Sequence, residues 1–324
     1  MNVVLLKHAS KTGGVEKFVS SFLAESRFNV SLLNVDIPMG FAGRWTYLWR
    51  LYRALPRNVD AIVSCHIDTV GTGMRLARWK RAYHVFREPA GAVHPFQTPA
   101  VAARLKKSLC IALSHAGIDR WRNVGFEGTA VVIRPRIHAF EPMRFPRMDE
   151  PLNLVQVANL FPEKNHAAGI ALLKDLARCH PHAVRLDIIG QPNGTAYSAE
   201  TEELIRQTDG AQLISNVASV QKELEHYSCG ILTSESEGFG YVLLEYASSG
   251  LPFFTTKTEG ISEVLPGDSP LFLPSDPGLW ATHMVRCMES PAWRMALASA
   301  QQMMLATSTY IQAYDEAIHR HCNE

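Results

Sequence analysis

No two of the six cysteines (Cys65, Cys110, Cys179, Cys229, Cys287 and Cys322) stand at the short paired spacing of a disulfide scaffold or a zinc site, so neither is expected. A reducing cytoplasm is the compartment this usage suits. The chain also lacks any uncharged apolar run near the roughly 18 to 20 residues that cross a bilayer. Its opening, Met1 to Leu6, is followed too soon by Lys7, His8 and Lys11 to read as a signal peptide, and reads as a first strand. There is no Asp-x-Asp pair, the arrangement that would bridge a metal to a diphosphate, so no metal and no other cofactor is expected. Internal repeats and low-complexity tracts are absent, as are helix-turn-helix, zinc and RNA-stacking motifs, and nucleic acid is not an expected partner.

What is present fits a soluble globular protein: 324 residues, 47% hydrophobic and 19% charged. That length suggests about two domains. Charge is nearly balanced overall but not along the chain. Residues 1–150 hold 22 Lys and Arg against 11 Asp and Glu, a net of +11, whereas residues 151–324 hold 10 against 20, a net of −10. A basic half suits a phosphate-rich partner or membrane surface, unless the two halves simply attract each other.

Short apolar runs alternate with helix-period segments throughout. In the first half, Asn2–Leu6, Val30–Val35, Asp60–Cys65, Ala82–Arg87, Leu109–Leu113 and Ala130–Arg134 read as strands. Helical segments such as Val15–Glu25, Gly43–Leu55 and His115–Val124 separate most of them. The proline-rich stretch from Phe140 to Pro151 reads as a linker. Beyond it, strands are expected at Leu152–Ala158, Val184–Gly190, Gln212–Ile214, Cys229–Thr233, Pro252–Thr255 and Pro270–Leu273. The helices expected there are Asn165–Cys179, Ser198–Thr208, Ser219–Tyr227, Phe239–Ser248, Pro277–Glu289 and Pro291–Arg320. The expected class is α/β, with two Rossmann-like, doubly wound domains facing a cleft: residues 1–147 and 148–304. A final helix, about 305–324, is free to pack back on the first. Ligands of such sheets lie at the carboxyl ends of the strands.

The densest chemistry lies in Ser234-Glu235-Ser236-Glu237-Gly238-Phe239-Gly240-Tyr241-Val242-Leu243-Leu244-Glu245. Two carboxylates, Glu237 and Glu245, flank a glycine turn that opens into an apolar helix. A helix start carries unpaired N–H groups and partial positive charge, so the backbone of Gly240, Tyr241 and Val242 suits a diphosphate. Glu245 and Glu237 suit the vicinal hydroxyls of ribose and sugar on either side, and Gly238 and Gly240 admit a ligand close to the backbone.

Several segments, in order, resemble glycosyltransferase family 4, retaining enzymes of the GT-B fold. Gly13-Gly14-Val15-Glu16 is similar to that family's first glycine turn. Leu154-Val155-Gln156-Val157-Ala158-Asn159 through Glu163-Lys164-Asn165-His166 resembles the strand and lysine loop opening its second domain, and Leu186-Asp187-Ile188-Ile189-Gly190 its next strand. Glu237-Gly238-Phe239-Gly240 with Leu244-Glu245 resembles its two-glutamate motif, continued by Ser249-Gly250-Leu251-Pro252 and Glu259-Gly260-Ile261-Ser262-Glu263. The resemblance implies that Glu237 contacts the donor sugar, Glu245 the ribose and Lys164 the diphosphate. Gly13, Gly14, Asn159, Gly238, Phe239, Gly240, Tyr241 and Val242 then belong to the donor side. It further implies metal-independent transfer with retention, from a UDP- or GDP-linked sugar to a glycan or lipid-linked acceptor, as in cell-surface polysaccharide or lipopolysaccharide synthesis.

Two positions depart from that pattern. Where the family usually carries a Gly-Arg pair before the lysine, this chain has Ala158-Asn159, so either Asn159 donates neutrally or an arginine from elsewhere substitutes. Where many members carry histidine, in Tyr83-His84-Val85-Phe86-Arg87-Glu88-Pro89, this chain has Arg87, which can hold a phosphate but cannot act as a base. His66, ending the preceding strand, is the remaining candidate on the acceptor or phosphate side. Phe41, Arg44, Trp45, Tyr47, Trp49, Arg50, Tyr52, Arg53 and Arg57, followed by Arg75, Arg78, Lys80 and Arg81, compose either an interfacial helix or a crossover helix with solvated arginines. The first reading implies peripheral contact with an anionic membrane, at the inner face of the cytoplasmic membrane. A nucleotide-sugar epimerase of the same architecture and a catalytically weakened partner subunit are the rival readings.

Overall fold

The structure, a computed structural model, describes residues 1–8, 14–36, 44–88, 94–137, 139–147, 149–180, 182–304 and 310–323. Its internal contacts divide the chain into two units, Met1–Pro135 with Thr307–Glu324, and Arg136–Ala306.

The first unit runs β1 (Asn2–His8), α1 (Gly14–Glu25), β2 (Asn29–Val35), α2 (Arg44–Ala54), β3 (Ala61–Ser64), α3 (Val70–Lys80), β4 (Tyr83–Glu88), α4 (Pro99–Arg104), β5 (Leu109–Ala112), α5 (His115–Asn123) and β6 (Ala130–Val132). The strands form one parallel sheet in the order β2-β1-β3-β4-β5-β6. Both faces are covered, which is why β3 and β5 are buried end to end rather than alternating. On one face Val3, Leu5, Val63 and Ile111 pack with Phe18 and Phe22 of α1; on the other Val4, Leu6 and Ile62 pack with Leu51 and Leu76 of α2 and α3.

The second unit runs β7 (Leu152–Val157), α6 (His166–Cys179), β8 (Val184–Ile189), α7 (Ala196–Arg206), β9 (Ala211–Ile214), α8 (Val220–Glu223), β10 (Cys229–Leu232), α9 (Tyr241–Ser248), β11 (Phe253–Thr255), α10 (Glu259–Ser262), α11 (Trp280–Met288) and α12 (Pro291–Met304). Its parallel sheet has the order β11-β10-β7-β8-β9. The expected strand over Pro270–Leu273 contributes only a single bridge, Thr255 to Phe272. The segment expected as helix Ser219–Tyr227 shortens to α8 and a 3₁₀ turn, Leu224–His226.

Two sequence expectations are corrected. The proline-rich stretch is not a free linker, and the boundary falls at Pro135/Arg136 rather than at 147/148. Backbone amides of Ile137, Glu141 and Arg144 donate to the carbonyls of Met304, Ser248 and Gly250. The Arg144 guanidinium adds bonds to the carbonyls of Leu224, Glu225 and Ser249. Gly250, at φ 64°, leaves room for this strap, since a Cβ there would lie 2.3 Å from the Pro142 carbonyl oxygen.

The helix read over Pro291–Arg320 is likewise divided between the units, its last part lying where the final helix was expected at about 305–324. α12 belongs to the second unit, and α13 (Tyr310–Asn323) packs on the first. Ile311, Tyr314 and Ile318, at helical spacing, join the Phe18 and Phe22 cluster, and the buried Asp315 carboxylate accepts from Ser26 Oγ (2.7 Å) and Arg27 N–H (2.8 Å). Among the described residues, no helix is long and apolar enough to cross a membrane.

Candidate functional site

At the carboxyl edge of the second sheet two loops are stitched together by buried polar groups. Gln156, fully buried in β7, donates through Nε2 to the Lys164 carbonyl (3.0 Å) and to Thr233 Oγ1 (2.9 Å) just past β10. The Thr233 hydroxyl donates in turn to the Asn165 carbonyl (3.0 Å), and the Glu235 amide to the Glu163 carbonyl (2.9 Å). Gly169 on α6 makes space for the glutamine, because a Cβ there would sit 2.4 Å from Gln156 Oε1. Hydrogen bonds from the buried Nε2 of Gln156 and from the Thr233 hydroxyl fix loop positions that surface residues alone would not, while the equally buried Gln156 Oε1 has no hydrogen-bond partner among the described residues.

That bracket sets Lys164, the last residue of a 3₁₀ turn (Pro162–Lys164), against the 233–240 loop. Lys164 Nζ meets Glu237 Oε1 at 2.6 Å, and Ser234 Oγ donates to the same oxygen at 2.8 Å. The Ser234 carbonyl is itself held by Thr256 Oγ1 at 2.5 Å. Both donors use Oε1, so Oε2 is the oxygen Glu237 can offer to a hydroxyl. The pair is mostly buried, with side-chain exposures of 24% and 12%, which screens it less than a surface pair.

From Glu237 the chain turns through Gly238 and Phe239 to Gly240, the N-cap of α9 at φ 77°, ψ 62°. Gly240 offers no side-chain cap, whereas Thr98, Ser114, Asn165 and Thr195 cap α4, α5, α6 and α7 with side-chain oxygens. An uncapped helix start presents its amides and the positive end of its dipole to an external anion. Phe239 is buried and meets the Tyr241 ring edge-on at 5.9 Å; Val242 faces the core. Tyr241, Glu245 and Ser248 share the half-buried face of α9, so Glu245 lies one turn along the face that Tyr241 begins.

Two contacts lock this turn. A Cβ on Gly260 of α10 would lie 2.3 Å from the Gly238 carbonyl oxygen and 2.5 Å from that of Glu237, so α10 seats directly beneath the turn. Tyr246 crosses Gly230 of β10, accepts from the Val157 amide (3.1 Å) and reaches the carbonyls of Val155 and Ile231 (3.2 Å each), fixing α9 to two strands at once.

Asn159 follows β7, and its Oδ1 accepts from the Gln191 amide (3.0 Å), which leaves the Nδ2 amide as the group it can present to a phosphate. Gly190 holds that corner tight: a Cβ there would fall 2.0 Å from the Ala158 carbonyl oxygen. His166, fully buried at the start of α6, places Nε2 3.3 Å from the same carbonyl, and burial lowers its pKa to about 4.

The candidates of the first unit are placed differently. His66 accepts at Nδ1 from the His8 amide (3.2 Å), tying the ends of β1 and β3 together. Gly14 opens α1, and Lys7 pairs with Glu16 in the first turn of that helix; Gly13 and Phe41 lie outside the described residues. Arg87 is 1% exposed, lies 4.5 Å over the Phe18 ring and donates from Nε to the Tyr314 hydroxyl (3.1 Å). A guanidinium placed so is part of the seam between β4, α1 and α13. The sequence did not signal this, because α13 is some 227 positions away.

Sequence reasoning also passed over Ser234, Thr256 and Gln156. The available signal was a hydroxyl three residues before Glu237, within the same turn.

Residues 151–290 match the family model for glycosyl transferases group 1. The matched segment occupies most of the second unit and contains the Lys164, Glu237 and Glu245 positions. No curated protein sequence matches the chain significantly.

The full chain has the GT-B fold. It is similar to Anabaena Alr3699/HepE, whose structure was solved with UDP and glucose, at a TM-score of 0.77 and 16% identity over 99% of both chains. The apo form of the lipopolysaccharide outer core galactosyltransferase WaaB gives 0.69 and 14% over 99% of each. The pneumococcal O-GlcNAc transferase GtfA, with UDP and GlcNAc, gives 0.69 and 16% over 88% of this chain and 61% of the other.

Proposed function

We propose that the second unit binds a nucleotide-diphosphate sugar at Lys164, Glu237 and the start of α9, and that the protein transfers the sugar with retention to a glycan or lipid-linked acceptor. The observation that carries this is the convergence of one cation, one carboxylate with a spare oxygen and an uncapped, glycine-started helix on a single turn. Lys164 and the amides of Gly240, Tyr241 and Val242 take the diphosphate, Asn159 adds a neutral donor through Nδ2, and Glu245 takes the ribose. UDP and UDP-sugar complexes among proteins of the same fold support a UDP-linked donor.

Breaking the bond from the anomeric carbon to phosphate oxygen builds positive character on the sugar and negative charge on the departing diphosphate. Fixed donors aimed at that charge lower the barrier with no metal and no resident cofactor, which is the reading adopted for this site. The acceptor hydroxyl attacks from the leaving-group face and passes its proton to a phosphate oxygen. Glu237 therefore positions the sugar through Oε2 and is not a nucleophile.

A screen of UDP-, GDP- and ADP-sugars by thermal shift tests the reading. At a hundred times its dissociation constant a true donor adds about 2.7 kcal/mol. One nucleotide class should raise Tm in the wild type and do much less in Lys164→Ala. No shift with any of them would defeat the proposal.

A further inference from the structure

α2 and α3 of the first unit carry a cluster of aromatic rings outside its core. Leu48, Leu51 and Leu55 supply the face of the α2 segment that packs on the sheet, and Tyr47 completes it by accepting the Asp36 amide at its hydroxyl (2.6 Å). Trp45 and Trp49 project elsewhere, 69% and 56% exposed, and Trp79 of α3 is 37% exposed. The rings form a continuous ladder: Trp45 stacks on Trp79 (6.3 Å, 27°), Trp79 meets Tyr52 edge-on (5.8 Å, 84°), and Tyr52 stacks on Trp49 (5.4 Å, 19°). Lys80 Nζ stands 4.6 Å over the Tyr52 ring while donating to the Pro56 carbonyl (2.8 Å).

Three exposed indoles in one patch are costly in water unless something covers them. The remaining tryptophans, Trp121, Trp280 and Trp293, are all buried. The charge around the ladder says what that cover is. Residues 44–83 hold eight Lys and Arg against two acidic residues, Asp60 and Asp68. Neither acid lies on α2 or α3. Asp60 is bonded to the Asn2 amide, and Asp68 pairs with His94. Indole rings with an apolar body and a polar N–H, framed by arginines, match the headgroup layer of an anionic bilayer, where rings sit at the acyl boundary and guanidinium groups meet phosphates.

We infer that the ladder of Trp45, Trp79, Tyr52 and Trp49 is the docking surface by which this protein lies on an anionic lipid membrane. The rings insert to the depth of the headgroups, and Arg50, Arg53, Arg75 and Arg78 supply the electrostatic attraction. Each basic group near such a surface contributes about as much as the next, so attachment is reversible and weakens with salt. The inference is independent of the sugar-transfer reading, since it concerns elements remote in sequence from the matched segment and needs no turnover.

The test uses the full-length protein with vesicles of phosphatidylcholine alone and of phosphatidylcholine with phosphatidylglycerol, including a set with brominated acyl chains. Binding at least 10-fold tighter to the anionic vesicles, reduced by salt, is expected, together with quenching of tryptophan emission by the brominated lipid. Trp45→Ala/Trp49→Ala should lose most of both signals. Because both side chains are exposed, its Tm should stay at the wild-type value, and Arg53→Glu/Arg78→Glu should weaken binding without lowering Tm. Equal partition into neutral and anionic vesicles, unaltered binding by the tryptophan variant, or binding to a soluble polyanion such as dextran sulfate without quenching by brominated lipid would each overturn the inference.

Discussion

The two units are built on the same plan and use the carboxyl ends of their strands in opposite ways. In the first unit, net +9 by its 20 basic and 11 acidic residues, the groups at or just past the strand ends are tied into the scaffold: Arg87 to Tyr314, Lys7 to Glu16, His66 to the His8 amide. In the second, net −8 by 12 against 20, the polar scaffold is made of neutral groups, Gln156, Thr233 and Thr256. They hold a lysine and a glutamate at the edge with bonding capacity to spare. On the proposed reading, net charge is a poor guide to where a phosphate goes. The anion site proposed for the acidic unit rests on a local cation and an uncapped helix start, while much of the basic unit's charge sits around the α2 and α3 ladder.

The largest effect that sharpens this contrast is on turnover. Lys164→Ala and Glu237→Ala should each lower kcat/KM by at least about 100-fold, the scale of removing one preorganised transition-state contact, while Tm changes little. Arg87→Met should do the reverse, losing about 1–3 kcal/mol of stability through the abandoned Tyr314 hydroxyl and the lost ring contact, with turnover per folded molecule near wild type. Paired activity and thermal melts on the three variants decide it. Large losses of turnover in Arg87→Met at unchanged stability would put an active-site charge back in the first unit.

A methyl group is the next probe. Gly260→Ala forces α10 off the Glu237–Gly238 carbonyls, 2.3 to 2.5 Å away, and should cut activity roughly 10- to 100-fold, the scale of a misplacement of about 1 Å. Gly71→Ala in the first unit meets nothing closer than 3.6 Å and should be silent in the same assay. Tyr246→Phe strands the Val157 amide in the core and should cost about 1–3 kcal/mol in urea denaturation.

The smallest contrast is in pH. Burial lowers His166 to about 4 in the second unit, and lowers His84, bonded to Ser64 and Ser108, to about 3 in the first. Both pKa values lie below the unfolded value of about 6.5. The unfolded chain therefore binds protons first, and stability is full above pH 6.5 and falls progressively toward pH 4. His166→Gln should remove part of that slope, and a melt series from pH 7.5 to 4.5 that stays flat in the wild type would contradict it.

Much of this was legible in the sequence because it is local. The alternating runs gave both parallel sheets, and the short segments around Lys164 and Glu237 carry their own turn and helix-start chemistry. The motif lies in loops that two adjacent strands, β7 and β10, bring together. What was not legible depends on long-range packing. Pro142 and Arg144 look like linker until the carbonyls of Ser248, Ser249 and Gly250 are placed beside them. The burial of Arg87 follows from Tyr314 and Ile318 of α13 finding Phe18 and Phe22, contacts remote in sequence. Trp79 joined the aromatic patch only through the contact of α3 with α2, since its own helix shows no aromatic periodicity.

The account rests on a division of labour in which Lys164 holds phosphate and Glu237 holds sugar. Calorimetric titration of the preferred nucleotide diphosphate, with and without its sugar, into wild type, Lys164→Ala and Glu237→Ala measures that division directly. Lys164→Ala should weaken both ligands at least about 10-fold. Glu237→Ala should erase only the increment due to the sugar and bind the bare diphosphate as well as or better than wild type, because Lys164 is released from its 2.6 Å partner. Equal weakening of both ligands by Glu237→Ala, or unchanged binding in Lys164→Ala, would contradict the account.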